Sequence, residues 1–206
     1  MGKVKDLGEL NVPLKDNDTL IIGGFADDEK SDAVFARLDG GLEAKALIVV
    51  DATSAADTSE SLKKLIRDRA RKLITPSAAR GKLAAEVVCE TSPQNILLER
   101  IRAGGAGIPA FYIAAEGASA DRPTKMIDGK LCVVETGITG DVGVIRVKKA
   151  DTDGNCYIPA AQRMIGYIAY ATKFTVVVSD EIVPVGQIDP EYISLPGILV
   201  TAVAQV

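Results

Sequence analysis

Short runs of apolar residues alternate along this chain with segments in which apolar residues recur at helical spacing. Near-continuous apolar runs are typical of parallel strands buried on both faces, and the strongest are residues 19–25 (TLIIGGF), 46–50 (ALIVV) and 174–179 (FTVVVS). Weaker patterns predict further strands at residues 73–75, 110–114, 141–148 and at the end of the tail 196–203. The segments between the strands are long enough for helices.

Helical spacing marks several of those segments. We predict a helix over residues 31–38, with Ser31 or Asp32 as its N-cap. Residues 57–71 predict a second helix with one apolar face among charged residues. A later helix is predicted over residues 160–172.

The most informative stretch is residues 92–112 (SPQNILLERIRAGGAGIPAFY), where a helix start leads into a glycine-rich turn and then a strand. Ser92 and Pro93 supply the N-cap and first helical position, and Arg100 is predicted toward the exposed end. In an α/β domain this order delivers backbone N–H groups to the sheet edge where an acyl or phosphate-bearing ligand is held. The plainer interpretation is that the glycines only end the helix.

A hairpin and the overall order of elements complete the fold prediction. Asp128 and Gly129 lie between two alternating arms over residues 125–134, which is a strong hairpin signal. Residues 78–91 fit neither period, so their boundaries stay open. We predict an α/β fold, a three-layer sandwich with a mainly parallel sheet and a small β-hairpin excursion, in one domain over residues 1–206.

Composition narrows the function. The chain has 206 residues and is 47% hydrophobic but only 4% aromatic, so its core must be aliphatic. Its 24 basic and 28 acidic residues are not segregated, which argues against nucleic acid as a partner. There is no signal-peptide pattern and no apolar run long enough for a bilayer, so we predict a cytoplasmic protein without membrane partners.

The chemistry-bearing residue types exclude several mechanisms. With no histidine, the chain cannot build a Ser-His-Asp or Cys-His arrangement or an HExxH zinc site. Cys89, Cys132 and Cys156 lack CxxC spacing and are predicted to be packed thiols, with no metal site. Any reaction must therefore use carboxylates, lysines, backbone amides or a second chain.

The segment ERIRAGGAGIPAF (residues 99–111) closely resembles the α subunit of family I coenzyme A transferases of the 3-oxoacid, acetate and butyrate type. Residues 19–25 resemble that family's strand ending in Gly-Gly-Phe, and residues 141–155 are similar to its ADVALIKAWKAD and GN stretch. Residues 174–196 resemble its ending with EEIV, DP and LPG motifs. The resemblance covers the chain from about residue 19 to its end.

The resemblance implies that an acyl group passes between coenzyme A and a carboxylic acid through a glutamyl thioester, so no histidine is needed. In that family the glutamate belongs to the β subunit, and the near match at Glu116 and Gly117 aligns with an α-subunit loop instead. This implies no catalytic residue in this chain and no permanently bound cofactor, with the coenzyme A thioester as substrate. It also implies a β-subunit partner in an α2β2 or larger assembly.

In such a site the α chain would supply the enclosing walls and the backbone amide donors. Amides near the first glycine pair and in the later glycine-rich turn would donate to the thioester oxygen, and glycine lets a ligand approach the backbone closely. The residues predicted to bind the coenzyme A substrate are Gly23, Gly24, Phe25, Gly104, Gly105, Ala106, Gly107, Ile108, Pro109 and Phe111.

Three loops depart from the family pattern. Residues 26–31 include three consecutive acids from Asp27 onward, residues 113–117 replace a Thr-Pro-rich loop, and residues 162–169 replace a T-A-R-N-F-N-P stretch whose arginine is matched by Arg163. The acids also suit the first turn of a helix without any ligand. The departures indicate either a different acyl substrate or a loss of catalysis.

We therefore predict the α subunit of a two-subunit coenzyme A transferase. The alternative is a binding or regulatory subunit of the same fold with a degenerate site. A third class, a sugar-phosphate isomerase or deaminase-like enzyme on this fold, would need its own acid and base within one chain, and no such set is visible.

Overall fold

The computed structural model describes residues 2–53, 59–76, 87–115 and 122–206. In chain order its strands are β1 (Val4–Lys5), β2 (Thr19–Gly23), β3 (Leu47–Asp51), β4 (Ala70–Thr75), β5 (Val88–Thr91), β6 (Ala110–Ala114), β7 (Thr124–Ile127), β8 (Lys130–Thr136), β9 (Gly140–Val147), β10 (Lys149–Asp151), β11 (Cys156–Tyr157), β12 (Thr172–Ser179), β13 (Ile182–Val183) and β14 (Ala202–Gln205). The α-helices are α1 (Glu29–Gly41), α2 (Glu60–Arg69), α3 (Gln94–Gly105) and α4 (Tyr167–Ala171). Short 3-10 helices cover Leu7–Glu9, Ala160–Gly166, Pro190–Tyr192 and Gly197–Leu199.

An eight-stranded sheet with the order β1-β14-β12-β9-β2-β3-β4-β5 forms the middle layer, and all its neighbouring strands run parallel. Alternate side chains enter opposite layers: Leu20 and Ile22 pack with residues of α1 and α2, whereas Ile21 packs with residues of α3 and α4. Both faces of the sheet are therefore covered by helices, as expected for parallel strands. This confirms the predicted three-layer α/β sandwich.

The hairpin excursion is a separate antiparallel sheet with the order β6-β8-β7. Its turn has positive φ at Asp128 (48°) and at Gly129 (75°), the conformation that suits a two-residue hairpin. The predicted hairpin is confirmed, and the predicted strand at Ala110–Ala114 belongs to this small sheet.

The first two helices differ from their predicted boundaries. The N-cap of α1 is Asp28, whose carboxylate accepts a hydrogen bond from the Ser31 amide at 2.8 Å, so the prediction of Ser31 or Asp32 as the cap is wrong. Helix α2 ends at Arg69, and the two residues after it already belong to β4. Residues 57 and 58 of the second predicted helix lie outside the described residues.

The later helices also differ. Pro93 is the N-cap of α3, because its carbonyl accepts the first helical hydrogen bond while the Ser92 amide donates to Thr75 O at 3.0 Å. The predicted helix over residues 160–172 is a 3-10 helix followed by the short α4. Of the undecided residues 78–91, the last four form β5, and residues 78–86 lie outside the described part of the chain.

Two further predictions concern the packing of the cysteine thiols and the absence of a membrane-spanning segment. Cys156 is buried, and burial raises the pKa of its thiol to about 12, which confirms a packed thiol. Cys89 is partly buried and packs against the hydrophobic core, which also agrees with a packed thiol, whereas Cys132 is only partly buried and its packing stays a prediction. Within the described ranges, no helix combines the length and apolar character needed to cross a membrane.

Candidate functional site

A cavity of about 160 Å³, which we call the edge cavity, lies where β2 and β3 end. The carboxyl edge of a parallel sheet is where α/β proteins hold their ligands. Its walls come from the loops after these strands, the first turns of α3 and the 3-10 helix Ala160–Gly166. The lining residues are Gly24, Ala52, Gln94, Leu98, Ala161, Gln162, Met164 and Ile165.

Gly24 lines this cavity and Gly23 precedes it, and neither position has room for a side chain. Gly24 has a φ of 81°, and a Cβ added to it would overlap Arg146 O and come within 2.6 Å of Ile165 Cδ1. A Cβ on Gly23 would lie 2.5 Å from Ile168 Cδ1. Phe25 faces the core and packs on Phe35 with ring centroids 4.7 Å apart, so its side chain supports the loop.

Gln94 is a polar group of the edge cavity that we did not select from the sequence. Its Nε2 donates to Ala52 O at 3.0 Å, while its Oε1 is buried and has no hydrogen-bond partner among the described residues. Leaving a buried acceptor unpaired costs about 1–3 kcal/mol, so such a group points to a ligand or water that completes it. The available signal was its position as the first residue of the most clearly marked helix.

The glycine-rich turn at residues 104–109 does not lie at the edge cavity. Helix α3 runs away from the carboxyl edge, and its last residues lie near the starts of β9 and β12. A Cβ on Gly104 would overlap Ile138 O, and one on Gly105 would lie 3.0 Å from the carbonyl carbon of Tyr170. The structure therefore separates the two predicted groups of binding residues.

The amides of this turn are already used within the protein. Those of Ala106, Gly107 and Ile108 donate to carbonyls in the last turn of α3 at 2.8–3.0 Å, and Pro109 has no N–H. In this conformation they have no hydrogen left for a thioester, which favours the plainer interpretation of the glycines as a helix end. Phe111 lies in β6 and is partly buried. Coenzyme A binding at this turn stays a prediction.

The acidic loop before α1 has a structural role. The Arg146 guanidinium donates to both carboxylate oxygens of Asp28 at 2.7 and 2.6 Å, and to Asp180 Oδ1 at 2.9 Å. Burial raises the pKa of Asp28, but the hydrogen bonds from Arg146 and from the Ser31 amide outweigh burial and lower it overall. Asp28 therefore caps the helix and anchors the loop to β9.

Two other loops depart from the family pattern, at residues 113–117 and 162–169. Residues 116 and 117, with the near match to the glutamate motif, lie outside the described residues. Arg163 lies on the 3-10 helix between Gln162 and Met164, but it faces a second cavity of about 320 Å³ on the outer surface of α3 and α4. We call this the helix-face cavity; its lining residues are Arg102, Gly105, Ala106, Arg163, Gly166, Tyr167, Tyr170 and Ser194.

Arg100 is buried in a charged cluster beside β5, so the prediction that it lies toward the exposed end of the helix is wrong. Arg100 is 3% exposed, and it donates to Glu90 Oε1 at 2.6 Å and to Thr136 O at 3.1 Å. Arg122 bonds to Glu90 and lies 2.7 Å from Glu135 Oε2, although none of its N–H bonds points at that oxygen, so this contact is electrostatic only. Lys72 completes the cluster 2.8 Å from Glu90 Oε2.

Acidification tests this cluster. Burial raises the pKa of Glu90, but the hydrogen bond from Lys72 and the charge of Arg100 outweigh burial and lower the pKa from 4.5 to about 2. A lowered folded pKa means that the ionised carboxylate stabilises the fold fully above pH 4.5 and loses this effect as the pH falls toward 2. We therefore expect the free energy of unfolding, measured by urea titration, to fall more steeply over this range in the wild type than in Glu90→Gln.

The control for the acid experiment is Glu43→Gln, which removes an exposed carboxylate outside the cluster. This variant should keep the wild-type slope. Equal slopes for the wild type and Glu90→Gln would contradict the expected role of Glu90.

A family model described as Coenzyme A transferase matches residues 8–205. In Bacillus subtilis, the A subunit of the probable succinyl-CoA:3-ketoacid coenzyme A transferase is 37% identical to this chain over 219 residues, covering 97% of this chain and 88% of that protein.

Solved structures show the same fold at lower identity. An acyl-CoA transferase from Escherichia coli O157:H7, in a thioester complex with CoA, superposes with a TM-score of 0.78 at 15% identity; the match covers 100% of this chain and 50% of that one, so this chain spans half its length. The glutaconate coenzyme A-transferase of Acidaminococcus fermentans has a TM-score of 0.74 at 22% identity, covering 99% of this chain and 75% of that one. With the family model matching nearly its full length, this chain belongs to the coenzyme A transferase family.

Proposed function

We propose that this chain is the α subunit of a two-subunit coenzyme A transferase, which moves coenzyme A between an acyl-CoA and a carboxylic acid. Family membership supports this proposal, as does the similarity to one of the subunits of a B. subtilis transferase. The acyl group passes through a glutamyl-CoA thioester on the partner β subunit. Coenzyme A is then a substrate of the assembly and not a resident cofactor.

The residues that line the edge cavity support the proposal that the catalytic glutamate belongs to the β subunit. Among the described residues, its lining consists of small, apolar and amide side chains, without a carboxylate, thiol or amine. The described residues thus bring no nucleophile into this cavity, and we propose that it comes from another polypeptide. The cavity is therefore suited to receive a glutamate from the companion chain.

Two features of this chain would assist the reaction. Attack on a thioester places negative charge on its oxygen, and a preorganised donor stabilises that charge. The described residues accept only one of the two hydrogens on Gln94 Nε2, so the second is available to the thioester oxygen. Gly24 also lines the cavity, and its φ of 81° and the packing of Ile165 against it fix the backbone of this wall.

The assembly and location belong to the same proposal. We propose αβ pairs in an α2β2 or larger complex, because the site needs a second chain. A cytoplasmic location suits the three free thiols, since disulfides are uncommon in that reducing compartment. Treatment of residues 1–206 as one domain also stays a proposal.

The test is coenzyme A exchange by the chain alone and with its β-type companion. We expect activity only in the complex, and we expect Gln94→Leu to lower kcat about 100-fold because the amide donor is lost. Gln187→Leu, on an exposed loop away from the edge cavity, should leave kcat unchanged. Activity is measured as acyl-CoA formation from a panel of carboxylic acids.

Two outcomes would overturn the proposal. Trapping a covalent coenzyme A adduct on a glutamate of the isolated chain would place the nucleophile here. A stable complex that is inert toward the whole acid panel would favour the regulatory subunit instead.

A further inference from the structure

Strand β6 is an open edge of the small antiparallel sheet. The sheet order β6-β8-β7 gives β6 one neighbour, and its residues pair with β8 from Ala110 opposite Thr136 to Ala114 opposite Cys132. Within the described residues, β6 pairs with no strand other than β8. Its outer side therefore offers N–H and C=O groups for pairing with another chain.

The hydrogen bonds of β8 decide which residues of β6 turn their backbone groups outward. Val134 N donates at 2.9 Å to Pro123 O, which lies on the β7 side of β8. Bonded and non-bonded pairs alternate along an antiparallel ladder, so Val134 does not bond to Tyr112, the residue opposite it on β6. The N–H and C=O of Tyr112 therefore point away from β8, and the same alternation turns those of Ala110 and Ala114 outward.

The three residues with outward backbone groups are also the accessible ones. Tyr112 is 48% exposed, and Ala110 and Ala114 are exposed as well. Phe111 and Ile113, whose backbone groups face β8, are half-buried. The groups that a further strand would need thus belong to the exposed positions of β6.

The usual protection of an open edge is missing at β6. Natural proteins mark such edges with charges, prolines or very short strands. The opposite edge β7 carries Lys125 and follows Pro123, and β5 at the edge of the large sheet carries Glu90. Strand β6 has five residues, AFYIA, without a charge or a proline. Among the described edge strands of more than two residues, only β6 is uncharged.

The sequence of β6 is compatible with a second copy of itself. Read in either direction, it has a small residue at the end, a large apolar residue next and Tyr112 in the middle. A twofold axis at Tyr112 places Ala110 opposite Ala114 of the other copy. It also places Phe111 opposite Ile113 of the other copy. This match of each residue with its counterpart is what a twofold-symmetric interface requires.

Such pairing satisfies the outward groups of the strand. The two Tyr112 residues exchange both of their N–H···O bonds, and so do Ala110 and Ala114 at each end. Phe111 and Ile113 form the intervening non-bonded pairs, in which side chains come closer and apolar contacts add stability. Because the strand carries no charge, its pairing removes no ionised group of β6 from water.

The extent of the edge sets the expected affinity. A five-residue strand covers less surface than the roughly 800 Å² per partner of a standard stable interface. The chain alone should therefore form a weak dimer that depends on concentration. A strand from a different protein needs no twofold match, so the symmetry of β6 favours a second copy as its partner.

We infer that two copies of this chain associate through antiparallel pairing of β6 about Tyr112. The two three-stranded sheets then become one continuous six-stranded sheet. This inference goes beyond the proposed function and does not depend on it, because it concerns the chain alone. In the proposed α2β2 assembly, the same contact joins the two α chains.

Sedimentation velocity of the full chain over a concentration series tests this dimer. We expect the wild type to shift from monomer to dimer as the concentration rises. Ala110→Lys with Ala114→Lys places like charges opposite each other across the twofold axis and should weaken dimerisation about tenfold or more. Ala110→Lys with Ala114→Glu places opposite charges there and should restore dimerisation to within about threefold of the wild type.

Two further variants separate the edge from general effects. Thr124→Lys with Leu131→Lys adds the same charge at exposed positions of β7 and β8 in the same sheet and should leave dimerisation unchanged. Ala114→Pro removes an outward N–H that β8 does not use. It should therefore weaken dimerisation while the circular dichroism spectrum stays that of the wild type.

Each outcome decides for or against the second copy. A wild type that stays monomeric at every concentration would overturn the inference, as would a dimer that the two-lysine variant leaves intact. Loss of dimerisation in both charged variants would contradict the register about Tyr112. A monomeric chain that binds its companion less tightly after Ala114→Pro would assign the edge to a strand of the companion instead. Coenzyme A exchange tests the proposed function separately from all of these results.

Discussion

Gly104→Ala is expected to lower the free energy of unfolding by about 4 kcal/mol or more. The new Cβ would overlap Ile138 O and lie 2.5 Å from the carbonyl carbon and 2.9 Å from the nitrogen of the same residue. All three atoms belong to the backbone, so no side-chain rotation can relieve the overlap. Helix α3 would have to move away from the chain that leads into β9, with loss of packing around Ile101.

The matched control for this variant is Gly40→Ala. Gly40 lies in α1, and an added Cβ there meets no atom within 4 Å. Alanine is a better helix former than glycine, so this change should stabilise the protein by roughly 0.5–1 kcal/mol. Urea unfolding monitored by circular dichroism measures both variants. A loss below about 1 kcal/mol in Gly104→Ala would show that α3 tolerates a wider approach to Ile138.

Arg100→Met is expected to destabilise the protein by about 3–5 kcal/mol. The change keeps much of the side-chain volume but removes the guanidinium that neutralises Glu90 and lies 3.4 Å from Glu135. Glu135 is 2% exposed, so its charge would remain buried, with Arg122 as its one remaining cationic neighbour in the described part of the chain. The cost comes mainly from that uncompensated charge and not from the lost attraction itself.

Two further variants isolate this effect in the same unfolding measurement. Arg102→Met removes a half-exposed ion pair with Glu99 from the same helix and should cost roughly 0.5 kcal/mol or less. Adding Glu135→Leu to Arg100→Met should recover part of the loss, because the stranded carboxylate is then gone. Equal losses in Arg100→Met and Arg102→Met would contradict a special role for the buried charge.

Most of the fold follows from the order of apolar runs. Buried parallel strands such as Thr19–Gly23 and Thr172–Ser179 need near-continuous apolar residues, and that requirement is visible without any knowledge of their neighbours. The Asp128-Gly129 turn is visible for the same reason, since positive φ at both positions restricts the residue types. Helix ends were predicted less well, because Asp28 and Ser31 both suit a cap and only the local backbone decides between them.

The positions that sequence patterns misplaced depend on distant partners. Arg100 looks like a solvent-facing residue of α3, and only Glu90 and Glu135, on two other strands, make its burial favourable. The glycines at the end of α3 were recognised, but the surfaces they approach, Ile138 and Tyr170, are set by tertiary packing. Gln94 was missed because a glutamine at a helix start has no distinctive pattern until its oxygen is found buried.

The two edge strands of the eight-stranded sheet are built in a way that opposes aggregation. Strand β1 has two residues and β5 has four, and the cluster of Lys72, Glu90 and Arg100 surrounds β5 with charge. An open strand with free N–H and C=O groups can recruit strands from other molecules, and short length and charged side chains oppose this recruitment. The described edges of the sheet thus offer little template for amyloid-like stacking between molecules.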